Sequence, residues 1–388
     1  MSYYYKYKEY KNKYLELKNN YNLNKNKKFS IVMFCILKDH YVLGACIAAY
    51  IHKLFINKLG TGNIDLVIMC DDYIYDKYKN TLEYYFDKVI KIKLRYFKPS
   101  DKYNYAKEKY STWIGYSLNK WQCLKFTEYN KILFLDIDIL PNSIKFYTLF
   151  NFKTPAVHIR SMPNYICSNS KLIKHVSDTN ISFDNYIKNI HNYGSVDGGI
   201  VLLEPSMDVY NNYVNFTDNL FKDGIYSSFG SGPDETSIFY YFMSRKIPIY
   251  DICVDYLVVP WDDTKYVKYA KSYNFLSFIK PWTKPKFISW DEEILWRDIY
   301  DNMPHGDKLE TLFKNTLEES INIYLSHSNK NRKKYYNQDY IKKYPNEVNN
   351  IFKAHKRFEK IMKLDEKIKT DGYGILKTDE IINIMQII

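Results

Sequence analysis

The chain has no closely spaced pair of cysteines. Its six, Cys35, Cys46, Cys70, Cys123, Cys167 and Cys253, form no CxxC motif and have no short-spaced histidine beside them. A zinc site or a disulfide framework is therefore not expected. Several of these cysteines sit inside apolar runs, where a thiol acts as a small hydrophobe, and a reducing compartment fits. No run of about 18 apolar residues is present, so no transmembrane helix is expected. Residues 1–28 are rich in Tyr and Lys and lack an apolar centre, which is not the pattern of a signal peptide. The expected location is the cytoplasm, and the acceptor-like triplets at Asn180 and Asn215 then carry no meaning as glycosylation sites. No internal repeat is found.

The middle of the chain also lacks a charge excess. The whole protein carries a net charge of +12, which raises the question of nucleic-acid binding. Residues 1–28 hold eight Lys against two Glu, and residues 305–388 hold 16 basic against 12 acidic residues. That leaves residues 29–304 nearly neutral. Basic ends are more often solvated faces than binding surfaces, so nucleic acid is not an expected partner. A non-catalytic scaffold or nucleic-acid binder using these ends is the alternative from a different functional class.

What is present is ordinary globular material. The 388 residues are 46% hydrophobic and 26% charged, enough for one large α/β domain with an extension or for two modest domains. The 41 Tyr, with abundant Lys, Asn and Ile, follow the residue usage of an A/T-rich genome and point to no function.

Order is expected to begin at Phe29. Residues 29–37 (FSIVMFCIL) and 64–70 (IDLVIMC) are continuous apolar runs, as in strands buried on both faces. A helical pattern covers 41–59 and is stopped by Gly60 and Gly62. Asp71 and Asp72 can cap a helix to about Phe86. A third strand is expected over 87–94, a helix over about 115–128, and a fourth strand over 131–135 (KILFL). Strands alternating with helices imply a parallel sheet covered on both faces, with ligands at the C-terminal strand ends. Further on come a strand at 198–204, helices at about 206–221 and 233–244, mixed short elements over 246–300, and a charged helical region from about 308.

The fourth strand runs directly into Asp136-Ile137-Asp138. Two carboxylates one residue apart at a strand exit can approach one hard cation, which prefers oxygen ligands and can bridge a diphosphate. The competing reading is a pair of solvated turn aspartates.

Five ordered blocks over roughly residues 29–285 extend that signal. They are 35–45 (CILKDHYVLGA), 118–121 (LNKW) with 131–138, 197–206 (DGGIVLLEPS), 233–235 (PDE) and 274–282 (NFLSFIKPW). With these blocks the chain resembles the family-8 glycosyltransferases, the glycogenin branch in particular. The resemblance implies a GT-A fold, a Rossmann-like α/β domain spanning 29–300, with a basic lead-in over 1–28 and a helical extension over 301–388. It also implies a UDP-sugar donor, most simply UDP-glucose, a Mn2+ or Mg2+ ion, transfer with retained configuration, and a homodimer.

The resemblance further implies residue roles. Leu37 and Tyr41 would hold the uracil. Lys120 would reach the donor sugar or phosphate, and Asp136, Ile137 and Asp138 would meet the donor with its metal. Asp197 stands where the family has Asn, and with Gly198 it would contact the sugar. Asp234 would sit near the anomeric carbon, and Glu235 stands where the family has Gln. Asn274 replaces the family's metal-ligating His, and Ser277 replaces a Gly. Lys280 would bind phosphate. Lys120, Asp197 and Asp234 are the candidate catalytic residues, and Asp136, Asp138 and Asn274 the candidate metal ligands. Retention is open between same-face attack and double displacement through a carboxylate such as Asp234. In the glycogenin branch the enzyme glucosylates its own tyrosine, and Tyr266 and Tyr269 are the candidate self-acceptors. A separate glycan or lipid-linked acceptor is the alternative.

Overall fold

A computed structural model describes residues 27–101, 113–159, 172–173, 182–188, 196–227, 232–259, 270–275, 280–283 and 291–316. The chain forms two compact units, Met1–Asn274 and Phe275–Ile388.

The first unit is mixed α/β. Strands β1 (Phe29–Cys35), β2 (Ile64–Cys70) and β3 (Lys88–Lys91) alternate with helices α1 (His40–Leu59) and α2 (Asp72–Tyr85), and β4 (Lys131–Leu135) follows. The apolar runs of β1, β2 and β4 are buried on both sides, as the sequence predicts, whereas the edge strand β3 is only half-buried. These four strands are all parallel in the order β3-β2-β1-β4, with Phe29 opposite Ile64 and opposite Lys131. Beyond β4 the order continues through β8 (Val196–Leu203), β6 (Ala156–Ile159), β9 (Ile249–Asp251) and β7 (Leu172–Ile173). Here the sheet turns mixed, because β8 runs antiparallel to both β4 and β6. A separate ribbon pairs β5 (Ile139–Pro141) with β10 (Ser272–Asn274).

Local chemistry explains the element ends. Gly60 adopts φ +68° and its N–H bonds the carbonyls of Ile56 and Asn57, a left-handed stop that favours glycine. Asp71 caps α2 by accepting from Ile74 N. The 114–125 segment winds as a 3-10 helix (Ile114–Lys125) rather than the expected α-helix and ends before Phe126. Gly115 is pressed there against Tyr96 and the Phe97 carbonyl, where a Cβ would come within 2.6 Å of that oxygen. Helices α3 (Phe183–Lys188), α4 (Met207–Leu220) and α5 (Pro233–Ser244) complete the unit. Residues of the 3-10 helix, α4 and α5 share a core with β4 and β8, around Trp121, Phe134, Val201, Tyr213 and Phe239.

Among the described residues α1 alone is long and apolar enough to cross a membrane by length and composition, unlike the expectation of no such segment. It lies inside the protein, with Val42–Ala49, Ile51, Phe55 and Ile56 buried. Cysteine chemistry also differs from expectation at one position. Cys35, Cys46, Cys70 and Cys123 are free and buried, but Cys253 is disulfide-bonded. No spacing motif in the sequence marks Cys253 for a bond.

The second unit holds an aromatic cluster. Trp296 of helix α6 (Asp291–Asn302) packs against Phe275 and Trp282, and Tyr300 stacks on His305 and Phe313. Residues 307–316 are helical.

Candidate active site

The site forms at the C-terminal end of β4. Asp136 N donates to the Gly199 carbonyl (2.8 Å) and the Asp136 carbonyl accepts from Ile139 N (3.2 Å), so 136–139 turns directly off the strand. Gly199 of the neighbouring β8 is tightly enclosed. A Cβ there would lie 3.0 Å from Asp197 Oδ1 and 3.3 Å from Asp136 Oδ2. The missing side chain lets these two carboxylates close on one point.

Lys120 enters from the 3-10 helix. Its Nζ lies 2.9 Å from Asp136 Oδ1 and 2.9 Å from Asp234 Oδ2. Its neighbours fix it. Asn119 pairs with both the N–H and the carbonyl of Arg95 (2.9 and 2.8 Å), and Gln122 donates to the Lys93 carbonyl. Trp121 donates its Nε1–H to the Asp234 carbonyl at 3.1 Å. Adjacent residues of one helix thus grip both the carboxylate and the backbone of Asp234. The ammonium also lies 5.4 Å from the Phe134 ring centroid.

Glu235 follows Asp234 at the start of α5. Its Oε2 accepts from Gly198 N (2.6 Å) and its Oε1 accepts from Gly232 N (2.5 Å). Both oxygens are engaged by backbone, which locks β8 to the helix start. Gly198 is needed here, since a Cβ would come within 2.8 Å of Glu235 Cβ. Asp197 Oδ1 accepts from Gly199 N at 2.8 Å.

Electrostatics follow from this crowding. Burial opposes the charge on Lys120, but Asp136 and Asp234 outweigh it and hold the ammonium well above the ordinary lysine range. Burial pushes the Asp136 carboxyl up to about 6; Asp138 and Asp234 add to the rise and Lys120 opposes it. Asp136 is only partly enclosed and is the more exposed member of the pair: 37% of its side chain is exposed, against 4% for Asp234.

Strand pairing sets Asn274 next to the turn that follows β4. It is the cross-strand partner of Ile139, the residue after Asp138. Cross-strand partners share a face, and Ile139 Cδ1 lies 3.3 Å from the point a Gly199 Cβ would occupy. Asn274 is 2% exposed and its Oδ1 has no hydrogen-bond partner. A buried, orphaned amide oxygen one strand pairing away from the DxD turn suits a hard cation. Asp136, Asp138 and Asn274 therefore fit a divalent ion in donor type. No three His, Cys, Asp or Glu side chains among the described residues form a ready metal cage; Lys120 already takes up Asp136.

Leu37 and Tyr41 sit beyond the end of β1, the sheet neighbour of β4, on the same edge. Leu37 adopts φ +67°, and its N–H donates to Asp71 Oδ2 at 2.8 Å. Tyr41 is half-buried with its ring against His40. Lys280 belongs to the second unit, where its carbonyl accepts from Thr283. Ser277, Tyr266 and Tyr269 lie outside the described residues. Sequence reading passed over His158, which pairs across β6 and β8 with Asp197; no motif marked it. It also missed the grip of Trp121 on Asp234.

No family model matches the chain. An uncharacterized protein of Acanthamoeba polyphaga mimivirus is 25% identical over 291 residues, covering 68% of this chain and 91% of that protein. Among solved structures, galactosyltransferase LgtC, in complex with donor and acceptor sugar analogs, aligns at a TM-score of 0.44 and 13% identity, over 73% of this chain and 99% of its own. The glycosyltransferase GlyE of Streptococcus pneumoniae aligns at 0.42 and 11% identity, over 76% and 64%. At scores this low the likeness carries no chemistry with it, and the site stands on its own side chains.

Proposed function

We propose that this protein is a glycosyltransferase that takes a sugar from a nucleotide-sugar donor with the help of a divalent cation. The observation that carries this reading is the bridge of the buried Lys120 ammonium between Asp136 and Asp234 at the exit of β4, with Asp197 and Asp136 both facing the gap left by Gly199. Such a site suits a donor that brings its own negative charge. Asp136, Asp138 and Asn274 would hold Mn2+ or Mg2+. The cation supplies neutralisation of the charge on the departing diphosphate.

The chain's own groups would do the rest. Lys120 offers a fixed positive charge toward phosphate or sugar. Asp197 and Asp234 offer acceptors for sugar hydroxyls. Leu37 and Tyr41, on the same sheet edge, would receive the base. We favour UDP-glucose as donor and same-face attack with retention, because Lys120 holds the Asp234 carboxylate and makes it a poorer nucleophile. Transfer to the protein's own Tyr266 or Tyr269 within a homodimer is the first acceptor to test, and an external glycan or lipid-linked sugar is the second.

Intact mass before and after incubation with UDP-glucose and Mn2+, with UDP-galactose and UDP-xylose in parallel, tests the proposal. Steps of one hexose, absent from Asp138→Asn, establish self-glycosylation. UDP release at constant mass moves the acceptor outside the chain. No UDP release with any donor sinks the reading.

A further inference from the structure

We infer that Lys120 is an internal counter-ion that a divalent cation must displace from Asp136, which makes cation and nucleoside diphosphate bind cooperatively. The inference rests on the function proposed above and adds a regulation to that site.

Three observations carry it. The ammonium bridges two carboxylates of unequal exposure, each at 2.9 Å. Asp234 is closed from solvent and tied through its carbonyl to Trp121, whereas Asp136 is the more exposed. A cation arriving from solvent therefore meets Asp136 first and finds it neutralised. The oxygen of Asn274, meanwhile, is left without a partner while Lys120 holds Asp136. Asp136 is thus kept occupied by the chain's own cation.

An ammonium and a divalent cation on the same carboxylate repel each other. Lys120 is 8% exposed and flanked by the Phe134 and Trp113 rings, so leaving Asp136 does not take it into water. Asp234 retains it, and a diphosphate offers it a second anion in place of the first. The nucleotide thereby lowers the cost of seating the cation. By linkage the cation tightens the nucleotide to the same degree. A cation alone is expected to bind weakly.

Calorimetric titration of Mn2+ into the full-length protein, with and without saturating UDP, tests this, with Lys120→Met and Lys120→Arg beside the wild type. A nucleotide that ligates the cation directly would raise Mn2+ affinity in any case, so the variants decide. Lys120→Met is expected to bind Mn2+ about tenfold more tightly than wild type without UDP, and to lose about tenfold of the UDP enhancement, within the usual range of coupling between sites. Lys120→Arg keeps the charge and should stay weak. If Lys120→Met does not fold, Lys120→Gln makes the same comparison, since it keeps a donor to one carboxylate without the charge. Equal or weaker Mn2+ binding in the uncharged variant overturns the counter-ion role but leaves the proposed function standing, provided wild type binds Mn2+ with UDP. Absence of both Mn2+ and UDP binding in wild type overturns the two together.

Discussion

Glu235 receives two backbone N–H groups on one side chain. A carboxylate can accept both, but an amide has one acceptor oxygen and would turn its NH2 toward the other donor. Glu235→Gln is therefore expected to cost about 1–3 kcal/mol by leaving a buried donor unmatched, read as a lower denaturation midpoint. The same reasoning separates this residue from its neighbour: Asp234 points its charge at Lys120, while Glu235 is spent on the backbone. Gly199 makes a second case. An added methyl would press on the carboxylates of Asp197 and Asp136. Gly199→Ala should cost about 1–3 kcal/mol as overpacking and should abolish Mn2+-dependent UDP release, because the carboxylates are pushed off their common point. A variant with wild-type release would show that the close approach is not needed.

At the scale of elements, the loop after β1 is held by a device the sequence shows only in part. Asp71 caps α2 with one oxygen and anchors Leu37 N with the other. Leu37 holds φ +67°, a conformation costing about 1–3 kcal/mol for a non-glycine residue. Asp71→Ala removes both bonds. It should lower stability by about 1–2 kcal/mol, the usual range for a lost cap, and weaken UDP binding by freeing the loop, both measurable by calorimetry. Leu37→Gly relieves the backbone but adds freedom to the unfolded chain, so its stability should stay within about 1 kcal/mol of wild type. A larger loss would mean the leucine side chain, not its backbone, is what the loop requires.

At the scale of the whole molecule, the sheet changes character at β4. Parallel strands lead in from β3, and antiparallel β8 closes the far side. The site lies at that change, where Asp136 leaves one strand and Gly199 belongs to the other. The far side also carries a titratable group. Burial pushes the Asp251 carboxyl on β9 up to about 7, against a smaller lowering by the Ile159 N–H. Between the unfolded value near 4 and about 7 the folded protein holds the extra proton, so stability falls as pH rises through that window and is level above it. Asp251→Asn removes the ionisation. Its gain in melting temperature over wild type should grow from about pH 4 to about pH 7 and then stay constant; a gap independent of pH would refute the assignment.

Much of this was legible in the residues. Apolar runs of strand length bounded by Gly60, Asp71 and Asp136 determine the β/α alternation, because burial on both faces demands uniform hydrophobicity and helix ends demand specific caps. The DxD signal and the 233–235 block marked Asp136, Asp138 and Asp234 by local pattern. Other features were decided only by tertiary structure. The antiparallel entry of β8, the pairing of Asn274 with Ile139 and the bridge of Lys120 between two carboxylates all join residues far apart in the chain. Their positions depend on loop closure and packing, which leave no periodic trace in sequence. Local sequence determined which side chains could carry charge at strand and helix ends; the fold decided which of those charges meet.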